Sequence, residues 1–121
     1  MERIIIDCDP GQDDAIAIFM AIASDCLKIL GITTVAGNVS GEQTYSNART
    51  VCACAGRPDI NVYKGSMYPL KKKLIEAKHI HGETGLTCHA DVCIRPPEQP
   101  IGAVDFIIKT LSETTEKITI A

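Results

Sequence analysis

Asp7, Asp9, Asp13 and Asp14 fall within eight residues, in the run Ile4-Ile5-Ile6-Asp7-Cys8-Asp9-Pro10-Gly11-Gln12-Asp13-Asp14-Ala15, directly after an apolar stretch. Four carboxylates this close repel one another unless something positive sits among them. A hard divalent cation is the simplest answer, because Ca²⁺ and Mg²⁺ take oxygen ligands from short loops. The competing reading is an exposed acidic turn in which Asp13 and Asp14 favour a helix N-terminus through its dipole. That accounts for two aspartates and not for four, and spacing alone leaves both readings open.

Two other places could take part in chemistry. Asn38 follows Gly37 at the end of an apolar run. Asn and Gly are ordinary turn residues, but the carboxyl end of a strand is where open α/β sheets bind ligands. His79 and His81 lie in the segment His79-Ile80-His81-Gly82-Glu83-Thr84-Gly85, where the plain reading is a pair of exposed loop histidines. A zinc site is a weaker alternative: His79, His81, Cys88, His89 and Cys93 lie within fifteen residues, but no second half with finger-like spacing accompanies them.

The elements that must position these groups can be read in order. Arg3 to Cys8 is a β-branched run without alternation, which predicts a parallel strand covered on both faces. Pro10-Gly11 turns the chain. From Asp13 a helix is predicted, with Ala15, Ile18, Phe19 and Ile22 at helical spacing and Ile16, Met20 and Ala23 widening the stripe until the helix reads as largely buried. Strand, tight turn and helix open a βαβ unit.

A second strand is predicted from about Lys28 to Val35, ending in Ala36-Gly37-Asn38. Ser40 to Gln43 fits a capping box, in which Ser40 caps the helix and Gln43 reaches back. That helix turns Tyr45, Ala48, Val51, Cys52 and Ala55 inward and stops at Gly56-Arg57-Pro58. A brief third strand covers Asn61 to Lys64. Gly65 to Pro100 has little periodicity, and loops that long are usually functional or disordered. Ile101, Val104, Ile108 and Leu111 mark a last helix, and Lys117 to Ala121 begins a fourth strand. An apolar strand that ends the chain predicts a truncated protein.

With 121 residues, 45% of them hydrophobic and 22% charged, the sequence is one globular domain's worth. A net charge of -3 gives no basic footprint for nucleic acid. Lys71-Lys72-Lys73, the basic cluster, reads as solvated surface. The apolar run Ala15 to Ala23 is too short to span a bilayer, and no charged n-region precedes a long apolar stretch, so a cytoplasmic protein is expected. The six cysteines then read as reduced thiols, with Cys8, Cys26, Cys52 and Cys54 packed as small hydrophobes.

The run Asp7 to Ala15 resembles the N-terminal signature of the nucleoside hydrolases, the inosine-uridine preferring N-ribohydrolases. Three more segments match in family order: Ile32-Thr33-Thr34-Val35-Ala36-Gly37-Asn38, then Asn47, then His79 to Gly85. The resemblance implies an open, mostly parallel α/β sheet with flanking helices in Rossmann-like order, with residues 1 to 121 forming the N-terminal part of a single domain. It also implies a Ca²⁺ ion at the carboxyl ends of the strands. Asp9 and Asp14 would be its ligands, with Asp9 also taking the proton of the activated water. Asp13 would hold ribose hydroxyls, Asn38 would help fix the ribose, Asp7 would support the ligands from behind, and His81 would contact the nucleobase.

The implied reaction converts a small-molecule ribonucleoside and water to ribose and free base. The family takes further ligands and its leaving-group histidine from a C-terminal portion absent from this sequence, so the isolated chain is expected to be inactive and prone to self-association. Homo-oligomerisation is left open. Two rivals stand beside this reading. A Mg²⁺-dependent phosphohydrolase of haloacid-dehalogenase type also places Asp-x-Asp after its first strand, although Pro10-Gly11 and the second pair Asp13-Asp14 fit it poorly. A non-catalytic metal-binding fragment is the other.

Overall fold

Ile4, Ile5 and Ile6 present β-branched side chains to both faces of a pleat, a pattern suited to a strand with a layer on either side. They lie in β1 (Glu2–Cys8), an interior strand of a four-stranded sheet. A computed structural model of the chain describes residues 1–86 and 94–121. Cys88, His89 and Cys93 of the zinc alternative lie outside the described residues.

After β1 come α1 (Gln12–Ala23), β2 (Leu27–Thr34), α2 (Gly41–Cys54), β3 (Val62–Lys64), the single turn α3 (Lys78–His81), α4 (Ala103–Ser112) and β4 (Thr119–Ile120). The strands are ordered β3-β2-β1-β4, and each neighbouring pair is parallel. The chain steps outward from β1 through β2 to β3, then returns to the other side of β1. The order therefore reverses between β1 and β4, and such a switch point opens a crevice beyond the carboxyl ends of the strands.

The two faces of the sheet carry separate cores. Ile6, Cys8 and Ile32 pack with Ala15 and Ile18 of α1 and with Ala48, Val51 and Cys52 of α2. On the other face, Ile5 packs with Tyr63, Ala103 and Phe106. A β-bulge adjusts the register between them: Ile4 faces Ile29 and Ile5 faces Gly31, leaving Leu30 as the extra residue of β2. Tyr63 and Phe106 stack over Gly31 with ring centroids 3.8 Å apart. A Cβ on Gly31 would meet the Phe106 ring at 2.8 Å and the Tyr63 ring at 2.9 Å. Gly31→Ala is therefore expected to lower stability by about 1–3 kcal/mol through overpacking, read as a fall in the urea midpoint. Combining it with Phe106→Leu, which removes the ring in the way, should return less than the sum of the two losses.

The other elements form close to where periodicity placed them, whereas the turn α3 lies within the segment read as lacking it, and three packing expectations need correction. α1 is not largely buried. Ala15 and Ile18 are buried and Ile22 packs on the core, whereas Ile16 is 61% and Met20 68% exposed, and Phe19 is also exposed. A helix lying on a sheet buries one stripe only, and nothing among the described residues covers the other. α4 turns Ala103 and Phe106 inward, while Ile101, Val104, Ile108 and Leu111 face outward. The Tyr63–Phe106 stack fixes the helix's rotation and overrides the aliphatic set. Cys26 and Cys54 are exposed, whereas Cys8 and Cys52 are buried.

Candidate active site at the carboxyl end of the central strand

Past Cys8 the chain must leave the sheet and begin α1, and Asp9-Pro10-Gly11 makes that turn with Pro10 and Gly11 buried. Gly11 is the helix N-cap, and its carbonyl accepts the amide of Ala15 at 3.2 Å. Asp13 and Asp14 occupy the first helical turn, where free backbone amides and the helix dipole favour negative charge. One Asp14 carboxylate oxygen lies 3.5 Å from the Gly11 amide, a long reciprocal cap. Asp13 is exposed, and Asp14 is partly buried.

Asp9 is held twice by a single residue. Its Oδ2 accepts the backbone amide of Asn38 at 2.7 Å, and its carbonyl accepts Asn38 Nδ2 at 2.8 Å. Asn38 thus grips Asp9 by both side chain and backbone, a role that the sequence did not suggest for it. Gly37 makes the grip possible: a Cβ there would lie 2.1 Å from Asp9 Oδ2. Asp7, by contrast, accepts the Thr33 hydroxyl of β2 at 2.6 Å. The bond ties the end of β1 laterally to β2.

The electrostatic character of this end shows in Cys8. Its buried thiol is pushed well above the ordinary thiol range, first by desolvation and then by the charges of Asp14, Asp7 and Asp9. Negative potential from three carboxylates is therefore felt at one buried point beneath the loop. Among the described residues no group of three or more His, Cys, Asp or Glu side chains is arranged to hold a metal. Asp9 and Asp14 remain a pair of hard oxygen donors.

The segment bearing His79 and His81 is docked against this loop. The Ala77 amide donates to the Asn38 carbonyl at 2.7 Å, and Asn47 of α2 donates through Nδ2 to the carbonyls of both Pro10 (3.0 Å) and Thr84 (2.6 Å). His79 is exposed, and His81 is the last residue of α3. Ser40 caps α2 as predicted, its hydroxyl accepting the Gln43 amide at 3.3 Å. The Gln43 side chain does not complete the capping box, because its Nε2 donates to Asn47 Oδ1 at 2.8 Å instead. Sequence reasoning gave Gly37 no role and placed Asn47 in a helix without one. The available signals were a glycine directly before Asn38 and a Gln-Asn pair four apart on the same helix face.

Residues 4–121 match the model of the family described as inosine-uridine preferring nucleoside hydrolase. A curated relative, the pyrimidine-specific ribonucleoside hydrolase RihA of Photobacterium profundum, is 47% identical over 119 residues, which are 97% of this chain and 38% of that protein. An uncharacterized protein of Schizosaccharomyces pombe is 50% identical over 113 residues, 90% of this chain and 35% of the other. Among solved structures, a plant nucleoside hydrolase superposes with a TM-score of 0.87 at 36% identity, covering 98% of this chain and 38% of that one. The purine-preferring ribonucleoside hydrolase of Gardnerella vaginalis does so with a TM-score of 0.86 at 31% identity, covering 98% and 39%. The chain thus spans less than two-fifths of the length of these relatives. The matches favour the glycosidic-bond reading over the phosphohydrolase alternative. With 118 of its positions inside the family's model and its fold shared with the family's solved members, the chain belongs to the inosine-uridine preferring nucleoside hydrolases.

Proposed function

We propose that this chain forms the metal- and ribose-holding part of an enzyme that hydrolyses the N-glycosidic bond of ribonucleosides, releasing ribose and free base, and that the metal is Ca²⁺. The observation that carries the reading is the Asp9 carboxylate, gripped by Asn38 over the space that Gly37 leaves, at the sheet's switch point. The donor set fits the ion, since carboxylate oxygens are what Ca²⁺ prefers. Asp9 and Asp14 would hold it. Ca²⁺ takes six to eight oxygens, so substrate hydroxyls and the portion of the relatives that this chain does not span would supply the others.

Bound there, Ca²⁺ would lower the pKa of an attacking water. Asp9 takes the water's proton as the anomeric carbon passes through an oxocarbenium-like state. Asp13, on the exposed first turn of α1, holds ribose hydroxyls, with Asn38 at their border. Asp7 steadies the strand end through Thr33, and His81 belongs to the segment that would meet the nucleobase. Relatives named pyrimidine-specific and purine-preferring both match this same segment. That supports ribose, rather than base, as the part of the substrate its aspartates recognise. Cys8 and Cys52, buried as free thiols, suit a reducing cytoplasm as the place of action.

The test is release of free base and reducing sugar from a panel of purine and pyrimidine ribonucleosides, using a form extended to the length of the relatives. No release from any of them in the presence of Ca²⁺ overturns the proposal. In that form Asp13→Ala is expected to lower kcat/KM on the order of a hundredfold or more while Ca²⁺ affinity stays within a few-fold. Loss of the ion instead would mean that Asp13 and Asp14 exchange the roles given them here.

A further inference from the structure

Asn47 is 3% exposed in the interior of α2, where a carboxamide is costly unless every polar atom is paired. Each of its polar atoms has a partner, and the partners belong to three parts of the chain. Gln43, one turn earlier on α2, donates to Oδ1; Nδ2 donates to Pro10 of the aspartate loop and to Thr84 of the histidine-bearing segment. Both carbonyls are obligate acceptors, so only the amide end can face them, and the Gln43 donor fixes the oxygen on the opposite side. Helix formation does not ask for this residue, because Asn is a poorer helix former than Ala or Leu.

The far side of the contact is built to match. Gly85 is buried at φ 78°, and a Cβ on it would lie 3.0 Å from Asn47 Nδ2 and 3.3 Å from the Pro10 carbonyl. At the other end of the same segment, Ala77 bonds to the carbonyl of Asn38. The segment between them is therefore pinned at both ends to the immediate neighbours of Asp9. One pin is Asn38, which grips Asp9, and the other is Pro10, which follows it and is reached through Asn47.

We propose that Asn47 is a positioning residue for the hydrolytic site: its carboxamide sets the separation between the aspartate loop and the segment that carries His79 and His81. It touches no substrate and acts by holding two loops in register. Only the kinetic part of its test rests on the nucleosidase reading; the tether itself is read independently.

Two variants attack the contact from opposite sides. Asn47→Asp is isosteric and still accepts from Gln43, but it sets a carboxylate against two carbonyls. Gly85→Ala crowds the carboxamide and strains the left-handed backbone at that position while leaving the buried helix untouched. Hydrogen exchange is followed at the amides of Ile80, Gly82 and Gly85, each bonded within the segment. Both variants are expected to speed it by about tenfold or more relative to the β1 and β2 amides.

In the extended form, kcat for a nucleoside should fall by about tenfold or more, with Ca²⁺ affinity changed less than about threefold, because Asn38 still holds Asp9. Gln43→Met, which removes the donor to Oδ1 but leaves both carbonyl bonds, should retain most of the exchange protection and most of kcat. Exchange within about twofold of the parent in Gly85→Ala overturns the proposal. So does a lower Tm with kcat per folded molecule unchanged, since that is the mark of a merely structural contact. If the parent itself turns over no nucleoside, the functional reading fails while the exchange result still decides the tether.

Discussion

Asp14→Ala, in a form extended to the length of the relatives, is expected to abolish Ca²⁺ binding while the βα core stays folded. The structural cost at its helix cap is small. The cap that Asp14 offers to Gly11 is long, at 3.5 Å, and losing a cap of ordinary geometry costs only about 1 kcal/mol. Removing one charge from the acidic loop offsets part of that, because the remaining carboxylates repel one another less. The loss to the ion is large, since Asp14 is half of the carboxylate pair assigned to it. Calorimetric titration should show the Ca²⁺ heat disappear, with at least about a hundredfold loss of affinity, equivalent to roughly 3 kcal/mol. Unchanged affinity would sink the ligand assignment.

Gly37→Ala should be nearly as damaging without touching any acidic residue. The added methyl carbon would lie 2.1 Å from Asp9 Oδ2 and 2.8 Å from its Cγ, separations that real contacts do not reach. Something must move, and the Asp9 carboxylate is the mobile partner, held by the Asn38 amide at 2.7 Å. Once displaced it can neither keep that bond nor stand where the proposed reaction would need it, and misplacement by about 1 Å can cost about a hundredfold in rate. Turnover in the extended form is expected to fall by about that factor or more, with urea unfolding little changed because Gly37 lies in a loop. Wild-type turnover in this variant would show that Asp9 is not the proton acceptor.

The sequence carried much of this frame in local signals. Three consecutive isoleucines announced an interior strand, Ser40 the start of α2, and Gly56 its end, where the observed φ of 68° is the left-handed conformation that glycine permits. The acidic loop was legible because like charges at a strand end are unusual enough to require an explanation. What stayed hidden depended on neighbours distant in the chain. Periodicity marked α4, but only the Tyr63 ring, stacked over Gly31 at the bulge, decided that Phe106 and not Val104 faces the sheet. Gly37 is indispensable only when Asp9 folds over it. Asn47 gains its meaning from Pro10 and Thr84, each 37 residues away.

The strand order also governs how the chain is made. β1 pairs on one side with β2, which follows it closely, but its other neighbour is β4, with Ile4 opposite Thr119. At ribosomal elongation rates of about 5–20 residues per second, that edge of the isoleucine strand waits on the order of ten seconds for its partner to be synthesised. An unpaired edge of β-branched residues is a template for joining strands of other chains. The nascent protein is therefore most exposed to misassembly after β1, β2 and β3 have formed and before residue 119 emerges, and chaperone binding during synthesis would act in that interval.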